Sequence, residues 1–485
     1  MTARTDRRAV QISADFFHLI DGELVDSDSD AYLDVINPAT GQVFARCPAA
    51  SCSQLDRAVA AARRAQTGWK NTSYAERATL LSKMARALET HQDHLGELLT
   101  REQGKPFSQS QAEIGRGGGQ LIGLSKIPIP VQVLLDNDQQ HIELHYRPLG
   151  VVGIITPWNA PINLALGPIA SALYTGNTII LKPSPFTPLT TLKMGELMRD
   201  IFPKGVVNVL AGGDDLGQWL TEHPGVDKIS FTGSVATGKK VMASAAATLK
   251  RITLELGGND AAIVLDDVDP QAVAKKLFVA CTVNSGQVCM AVKRIYAHEK
   301  IYESLCAALA AEARAAVLGD GMEPATQLGP IQNRMQYDKL VGLIEDTRRS
   351  GATILAGGDI PDGAGYFIPP LVATDLSDDA RLVREEQFGP LIPVLKFSDV
   401  DDVITRANAT DFGLCGSVWT NDIERGAAIA GRLEVGTAWV NQHRATLPTV
   451  PFGGAKQSGL GRQYALIGLL GYMEPQVISV LKNEK

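Results

Sequence analysis

The chain has 485 residues, which is too long for one hydrophobic core of ordinary size and predicts two or three domains. Hydrophobic residues make up 45% and charged residues 20% of the chain, an average composition for a globular protein. The net charge is −7 and no dense basic cluster occurs, which argues against a nucleic-acid partner.

The cysteine content and the hydropathy predict a cytoplasmic location. Six cysteines occur without any CxxC pair, which is typical of a reduced protein that has no disulfide framework. No apolar segment of a secretory signal follows Met1. The most apolar region, residues 151–181, is interrupted by prolines and asparagines, whereas a membrane span needs about 20 uninterrupted apolar residues. We therefore expect no membrane partner.

The N-terminal part of the chain predicts short strands or irregular segments over residues 1–50, followed by two helices. Ser53 and Asp56 mark a capping-box-like start for the first helix. Ser73 and Glu76 mark the start of a longer helix that runs toward Glu102. The apolar stripe of this longer helix is assigned to packing. The stripe consists of Leu80, Leu81, Met84, Leu88, Leu95 and Leu98.

The pattern changes after residue 150, where short apolar runs alternate with helix-compatible stretches. The apolar runs are 151–155, 178–181, 206–210, 228–231 and 261–265, and the helical stretches are 162–174, 188–200, 216–223 and 239–247. Buried strands separated by helices are typical of a parallel α/β sheet that is covered on both faces. Such sheets bind ligands at the carboxyl ends of their strands. Residues 266–440 predict a second α/β unit.

Three of the loops that follow these runs carry side chains suited to chemistry. Asn159 can donate a hydrogen bond to a developing oxyanion, although an asparagine beside prolines is also a common turn residue. Lys182 can reach a ribose hydroxyl or a phosphate, or can simply extend into solvent. Gly233, Ser234 and Gly238 open a helix, where backbone N–H groups can bind a phosphate. Their GxxxxG spacing departs from both the GxGxxG and the P-loop patterns.

Cys289 and Glu255 form a candidate nucleophile and base. Each lies in a glycine-containing segment, and Glu255 precedes Cys289 by 34 residues. A thiolate is a nucleophile, and a carboxylate can take a proton from a thiol or a water. Taken singly, an inert buried cysteine and an ion-paired glutamate are the commoner explanations.

Two histidine pairs have the spacing of metal ligands. The pairs are His91 with His94 and His141 with His145, and neither has an identifiable third ligand. We expect both to be exposed and expect no metal site.

Residues 141–146 alternate polar and apolar side chains with period two, which predicts a half-exposed antiparallel strand. Residues 477–481 predict another strand.

Seven segments of the chain, taken in order, resemble the aldehyde dehydrogenase superfamily. They are residues 156–159, 181–184, 231–238, 254–259, 286–289, 385–390 and 451–459. The similarity runs from about residue 20 to the C-terminus. Each motif alone is weak, but seven of them in the order of the family are highly specific.

The resemblance implies an α/β fold of three parts and a homo-oligomer. A Rossmann-type cofactor domain would comprise residues 1–129 and 148–254, and an α/β catalytic domain residues 255–457. Residues 130–147 and 458–485 would form a small β oligomerisation arm. The protein would accordingly be a homodimer or a homotetramer.

The resemblance also implies a mechanism for a small-molecule aldehyde substrate. Cys289 would attack the carbonyl carbon to give a thiohemiacetal, with the Asn159 amide and the Cys289 backbone N–H as the oxyanion hole. Loss of hydride would leave a thioester, and Glu255 would activate the water that hydrolyses it. The family's cofactor is NAD or NADP. The residues implied to bind it are Thr156, Trp158, Lys182, Ser184, Gly213, Phe231, Gly233, Ser234, Leu256, Glu386 and Phe388.

The chain departs from the family pattern at several positions. Pro185 replaces a glutamate that many NAD-preferring relatives carry, so we expect use of NAD with NADP also possible. Gly167 stands where succinate-semialdehyde-type relatives have an arginine, which disfavours a short acidic semialdehyde. Arg444 is an unexplained cation near the expected pocket mouth. Gln463 follows Gly461 and Arg462 where glutamate is common.

The implied substrate pocket is roomy and mainly apolar, which favours a medium-chain aliphatic or aromatic aldehyde. Its residues are Ala160, Asn163, Leu166, Val288, Met290, Thr446 and Phe452.

Three other functions compete with aldehyde oxidation by hydrolysis of a thioester. A CoA-acylating enzyme would lack the hydrolytic Glu255, a thiol hydrolase would need a histidine base, and a non-catalytic oligomer would not need the complete set of motif residues.

Overall fold

The computed structural model describes residues 15–482, which form two large sheets, smaller sheets and the helices that join them. The strands in chain order are β1 (His18–Ile20), β2 (Glu23–Val25), β3 (Tyr32–Asn37), β4 (Gln42–Pro48), β5 (Gln132–Asp136), β6 (Gln140–Pro148), β7 (Val151–Ile155), β8 (Thr178–Lys182), β9 (Val207–Val209), β10 (Lys228–Thr232), β11 (Arg251–Glu255), β12 (Asp260–Val264), β13 (Val292–His298), β14 (Thr353–Ala356), β15 (Leu371–Thr374), β16 (Leu391–Phe397), β17 (Phe412–Gly413), β18 (Cys415–Trp419), β19 (Thr437–Val440), β20 (Ala455–Lys456), β21 (Gly459–Leu460) and β22 (Met473–Leu481).

The helices cover the faces of these sheets. They are α1 (Cys52–Trp69), α2 (Tyr74–Thr90), α3 (Gln92–Gln103), α4 (Phe107–Leu124), α5 (Pro161–Tyr174), α6 (Leu189–Arg199), α7 (Asp214–Glu222), α8 (Val235–Ala246), α9 (Pro270–Thr282), α10 (Tyr302–Ala315), α11 (Arg334–Arg349), α12 (Arg381–Arg384), α13 (Val400–Asn408), α14 (Ile423–Ala430) and α15 (Ala465–Leu470). A short 3₁₀ turn, Val283–Gly286, follows α9. Among the described residues, no helix is both long enough and apolar enough to cross a membrane.

The first large sheet has the strand order β2-β1-β9-β8-β7-β10-β11-β21. Its five central strands run parallel, and β1 and β21 pair antiparallel at its two sides. The predicted parallel α/β sheet is therefore confirmed. The predicted strand over 151–155 has the observed limits, because a continuous apolar run marks a strand that is buried on both faces. The predicted helix over 239–247 begins earlier, at Val235.

The second large sheet has the order β14-β15-β16-β13-β12-β18-β19 and is parallel except at β14. This is the second α/β unit expected from the sequence. A three-stranded antiparallel sheet, β22-β6-β5, stands apart from both. The half-exposed strand expected at 141–146 lies at its centre. Gly459 and Leu460, within the expected arm, pair with β11 in the first sheet. The domain limits themselves stay a prediction.

Two helix starts show how local side chains select the fold. Helix α1 is capped by Ser51, whose hydroxyl accepts the Gln54 N–H while the Gln54 side chain accepts the Ser51 N–H. The expectation of a cap at Ser53 was therefore wrong, because that residue already lies in the first turn of the helix. The capping box of Ser73 and Glu76 is confirmed.

The long helix expected to run toward Glu102 is two helices. The chain turns at His91, whose backbone (φ −107, ψ 16) ends α2 and precedes α3. The apolar stripe of this region packs as expected, with Leu81, Met84 and Leu88 all buried. They belong to the core that α2, α4 and α5 build on one face of the first sheet. This packing places α4 and α5 beside the loops at the carboxyl ends of β7 and β8.

The cap of α1 yields a local stability prediction. Ser51→Ala removes the acceptor of the Gln54 N–H, and the loss of such a cap costs about 1 kcal/mol. We expect amide hydrogen exchange in the first turn of α1 to accelerate about fivefold, measured by mass spectrometry on peptides that contain Leu55. The matched variant is Ser53→Ala, which leaves the cap intact. Faster exchange in Ser53→Ala than in Ser51→Ala would contradict the assignment.

Candidate active site

Cys289 lies in a segment that joins the two large sheets. Helix α9 ends in the 3₁₀ turn, Cys289 follows it, and β13 of the second sheet begins at Val292. The turn after β11 of the first sheet touches this segment. A Cβ placed at Gly258 would lie 2.6 Å from the Cys289 carbonyl oxygen, so only glycine permits this approach. The two expected motifs, around residues 255 and 289, are thus in direct contact.

The segment that leads to Cys289 has a strained backbone. Asn284 and Ser285 have φ angles of 52° and 53°, in the left-handed region that non-glycine residues seldom adopt. Hydrogen bonds hold both: Ser285 Oγ donates to the Gly329 carbonyl (2.6 Å) and Asn284 Nδ2 donates to the Asn159 carbonyl (2.9 Å). Gly286 has φ 74°, and a Cβ there would lie 2.3 Å from the carbonyl oxygen of residue 389. Such strain is characteristic of functional loops.

The Asn159 side chain points to the same segment. Its Nδ2 donates to the Gln287 carbonyl at 2.8 Å, and Asn159 is almost fully buried. An amide nitrogen carries two N–H donors, so one remains for a ligand. The side chain of Gln287 is itself fixed, since Nε2 donates to the Asn284 carbonyl and Oε1 accepts the Gln332 N–H, both at 2.9 Å. Asn159 and the Cys289 segment therefore form one rigid unit.

A buried ion pair, Lys105 with Glu113, supports Asn159 from the other side. The Lys105 ammonium donates to the Glu113 carboxylate and, at 2.8 Å, to the Asn159 carbonyl. The second carboxylate oxygen accepts the backbone N–H groups of Ile162 (3.0 Å) and Asn163 (3.2 Å) at the start of α5. Burial lowers the pKa of Lys105, and the Glu113 charge opposes that shift. Sequence analysis missed this pair, although Lys105 lies in a Gly-Lys-Pro segment.

Glu255 ends β11 with its carboxyl group buried and unpaired. Neither carboxyl oxygen has a hydrogen-bond partner among the described residues. Burial raises the pKa of Glu255 well above its usual range, and Arg462 acts weakly in the opposite direction. A buried carboxyl group without a partner is costly unless it has a functional role. Its raised pKa makes it a stronger base than an exposed glutamate, which suits a group that transfers protons.

The Cys289 thiol is surrounded by acidic groups. Burial raises its pKa to about 12, and Glu386, Asp260 and Glu255 act in the same direction while Lys293 opposes them. The thiol therefore keeps its proton at neutral pH in this state of the protein. Thiolate formation requires a base or a change in the electrostatic surroundings.

Several of the residues expected to bind a cofactor lie at the carboxyl ends of β8, β9 and β10. Lys182 is buried, which lowers its pKa to about 8, and it forms no ion pair in the described part of the chain. Its Nζ donates to the Pro183 carbonyl at 3.3 Å. Gly213 precedes α7 and Ser234 caps α8, so two helix N-termini follow these strands. A buried cation and two helix starts fit the ribose and phosphate groups of a dinucleotide.

A second cluster of expected cofactor residues lies beside Cys289. Glu386 Oε1 accepts the Gly258 N–H at 2.9 Å. The Trp158 and Phe388 rings meet edge to face, with centroids 5.3 Å apart. Lys293, which sequence analysis missed, lies 5.2 Å from the centre of the Phe388 ring and donates to the Gly286 carbonyl at 2.9 Å. These contacts tie the aromatic pair to the nucleophile segment.

The other expected cofactor residues are held by local contacts. The Thr156 N–H donates to the Lys182 carbonyl (3.1 Å), and the Leu256 N–H donates to the Ser458 carbonyl (2.9 Å). Ser184 Oγ accepts the Phe186 N–H (3.3 Å). The Phe231 ring lies beside Gly233.

The expected pocket residues occupy three settings. Met290 and Phe452 pack with Cys289 against the buried Trp439. Ala160 precedes α5, Val288 is partly buried, and Asn163 Oδ1 accepts Gln120 Nε2 at 3.1 Å. Leu166 is fully buried against Gly117, and Thr446 is exposed.

Gln120 also donates to the Tyr464 hydroxyl at 3.0 Å, and sequence analysis identified neither residue. Within residues 15–482, no group of three or more His, Cys, Asp or Glu side chains has the arrangement of a metal site.

Comparison with known proteins supports the same interpretation. The model of the aldehyde dehydrogenase family matches residues 24–478. A putative aldehyde dehydrogenase of Gibberella fujikuroi is 41% identical over 90% of this chain and 93% of its own length. A betaine aldehyde dehydrogenase of Rhizobium leguminosarum is 40% identical over 96% of both chains. The NAD⁺ complex of a Bacillus cereus aldehyde dehydrogenase superposes with a TM-score of 0.94 at 36% identity, covering 97% of both chains.

The environment of Cys289 predicts how its reactivity depends on pH. Because its pKa is raised to about 12, the thiolate fraction of the free protein grows about tenfold per pH unit up to pH 10. We expect iodoacetamide alkylation of Cys289, followed by peptide mass spectrometry, to rise in that proportion without a plateau. The exposed Cys52 of the same molecule serves as the internal reference. A plateau for Cys289 below pH 9 would refute the raised pKa.

Proposed function

The chain belongs to the aldehyde dehydrogenase family, and we propose that it oxidises an aldehyde to a carboxylic acid with NAD, through a covalent intermediate on Cys289. The observation that carries this proposal is the unpaired, buried carboxyl group of Glu255 in the neighbourhood of the Cys289 thiol. The Asn159 amide is held against the same segment with one N–H unused. In the proposed mechanism, these three groups supply the nucleophile, the base and the oxyanion donor.

The first half of the proposed reaction forms an acyl-enzyme. Cys289 Sγ bonds to the carbonyl carbon, the thiol proton passes to a base, and the carbonyl oxygen becomes an oxyanion. The Asn159 Nδ2–H and the Cys289 N–H stabilise that oxyanion. A bound nicotinamide supplies the acceptor for the hydride that leaves the same carbon. The carbonyl then re-forms, and the acyl group remains on Cys289 as a thioester.

The second half releases the acid. Glu255 takes a proton from a water molecule, whose oxygen bonds to the thioester carbon. The C–S bond then breaks, Cys289 regains its thiol with the proton that Glu255 returns, and the carboxylic acid leaves. The raised pKa of Glu255 supports this role, because it makes the carboxylate a stronger base than an exposed glutamate.

The buried cation and helix starts support NAD as the cofactor. Lys182 would hold the adenosine ribose, Ser234 and the start of α8 the pyrophosphate, and Glu386 the nicotinamide ribose. The Bacillus cereus relative was solved with NAD⁺. With Pro185 in place of an acidic side chain, NADP is also admitted. Asp214, whose charge acts on Lys182, provides a milder repulsion of a 2′-phosphate.

The apolar contacts around Cys289 support a medium-chain aliphatic or aromatic aldehyde as the substrate. Met290, Phe452 and Trp439 provide this apolar wall. The Tyr464 ring occupies the space beside Gly167, where an arginine would bind a short semialdehyde. Glu255 disfavours the CoA-acylating alternative. For a thiol hydrolase, the neighbouring His443 is already bonded to Ser417 Oγ at 2.9 Å.

The arm sheet supports a homodimer or homotetramer. Every residue of β5 is exposed, including Val133, Leu134 and Leu135, and β5 is an edge strand. Exposed apolar edge strands readily pair with another chain. We place the assembled enzyme in the cytoplasm on the strength of its cysteine content.

Two substitutions separate the two halves of the reaction. Cys289→Ala removes the nucleophile, so we expect no reduced nicotinamide at any time. Glu255→Gln removes only the hydrolytic base, so we expect one burst of reduced nicotinamide per site and a steady-state rate lowered at least a hundredfold. Stopped-flow absorbance at 340 nm records both phases, with Cys52→Ala as the matched cysteine control. Full steady-state turnover in either variant would exclude the role given to that residue.

Cofactor choice provides a separate prediction. We expect kcat/KM for NAD to exceed that for NADP by less than a thousandfold. Asp214→Asn removes a negative charge near Lys182 and shifts the ratio toward NADP by about twofold to fivefold, since exposed charges contribute roughly 0.2–1 kcal/mol. The neighbouring Asp215→Asn is the control for general charge. If Asp214→Asn left the NAD-to-NADP ratio of kcat/KM unchanged, Asp214 would have no role in discriminating the two cofactors.

A further inference from the structure

An open cavity of about 410 Å³ lies between α9 and the loop that follows β19. Its lining residues are Lys275, Lys276, Val279, Ala280, Trp419, Asn441, Gln442, His443 and Arg444. Both walls are continuous with segments near Cys289. Helix α9 continues through the 3₁₀ turn to Cys289, and Trp439 of β19 belongs to the apolar cluster against which Cys289 packs. The Trp439 indole N–H donates to the Ala445 carbonyl at 3.2 Å, which fixes the loop.

The cavity is cationic in a protein whose net charge is −7. Three of its lining residues are Lys275, Lys276 and Arg444, and none of the lining residues is a carboxylate. Over residues 15–482, these three side chains form no ion pair. Other cations of the described surface do have acidic partners, as Arg63 has Asp227 at 2.7 Å. Unpaired cations around one cavity repel each other and attract an anion.

Arg444 is the central group of this cationic cavity. Its Nε is buried without a hydrogen-bond partner, and its backbone is left-handed, with φ 67°. Burial lowers the pKa of Arg444 to about 10, the Arg116 charge from α4 acts in the same direction, and Cys289 opposes it. An anion bound by Arg444 would relieve both unfavourable effects, because it would give the buried guanidinium a charged hydrogen-bond partner.

We propose that the cationic cavity binds an anionic group at the end of the substrate remote from the aldehyde. The substrate class is then an aldehyde with an apolar aliphatic or aromatic body and a distal carboxylate or phosphate. The apolar body would contact Met290, Phe452 and Trp439, while Arg444 would meet the anion with a bidentate hydrogen bond. This inference rests on the proposed function, which it deepens. It also makes betaine aldehyde, a cation, a poor substrate for this chain.

The first test compares matched neutral and anionic aldehydes on the assembled enzyme. The aliphatic pair is hexanal with 6-oxohexanoate, and the aromatic pair is 4-methylbenzaldehyde with 4-formylbenzoate. A further substrate, 4-formylphenyl phosphate, shows whether the site prefers a phosphate or a carboxylate. We expect the anionic member to have a kcat/KM at least about tenfold higher, mainly through KM, and betaine aldehyde to be the poorest substrate. Raising the salt concentration weakens this preference, because the cavity is open to solvent.

The second test removes the cations. Arg444→Gln should lower the anionic-to-neutral ratio about tenfold, Arg444→Lys should retain part of it, and the pair Lys275→Gln with Lys276→Gln should lower it by a smaller factor. The matched control is Arg86→Gln, an exposed arginine on α2. A wild-type ratio near one, or an equal ratio in Arg444→Gln and Arg86→Gln, would overturn the proposal.

A binding measurement keeps this inference separate from the oxidation chemistry. Calorimetry with adipate, a dicarboxylate that cannot be oxidised, should give a Kd at least about tenfold weaker in Arg444→Gln than in Arg86→Gln. Adipate binding with no turnover of any aldehyde would refute the proposed function and support the anion site. Turnover of neutral aldehydes with no adipate binding would support the function and refute the anion site.

Discussion

The Lys105 ammonium and the Glu113 carboxylate lie together in the interior, away from solvent, and each also bonds to a different part of the active site. Lys105 holds the carbonyl of Asn159, while Glu113 holds the first N–H groups of α5. Burying two charges carries a large desolvation penalty, and removing one partner from such a pair costs about 3–5 kcal/mol. The position of Asn159 therefore depends on both members of this buried pair. Because Asn159 contacts the Cys289 segment, the position of that segment depends on the pair as well.

The electrostatics around Cys289 follow from the same burial. Glu255, Glu386 and Asp260 all have raised pKa values because their carboxyl groups are removed from water. Their negative charges in turn hold the proton on the thiol, with Lys293 as the buried opposing cation. Water exclusion by a bound aldehyde and cofactor would change every one of these interactions together.

The sequence could predict the strands and loops that share a simple local signal. Continuous apolar runs located β7 and β8, the loop after the first of these runs singled out Asn159, and separate glycine-containing segments singled out Glu255 and Cys289. The remaining features depend on residues distant in the chain. Lys105 lies in the turn between α3 and α4, and Glu113 lies on α4. Lysine and glutamate are usually exposed, so nothing local distinguishes these two from surface residues.

The division of the long helix at His91 and the left-handed backbone of Asn284 also escaped prediction. The Asn284 conformation is held by a hydrogen bond to the distant Asn159 carbonyl, which no local sequence pattern reveals. For Arg444 the sequence revealed an unexplained cation but not its neighbours. Its relation to Arg116 and Lys275 appears only when α4, α9 and the loop after β19 come together.

The close approach of backbone to backbone at Gly258 and Gly286 has a consequence for how this scaffold can diversify. At both positions the nearest opposing atom is a backbone carbonyl oxygen rather than a replaceable side chain, so a substitution that adds a Cβ introduces a collision. Variation is possible farther out, on the exposed surface of α9 and on the loop after β19. New substrate preferences can therefore arise at the entrance while the inner chemistry stays fixed.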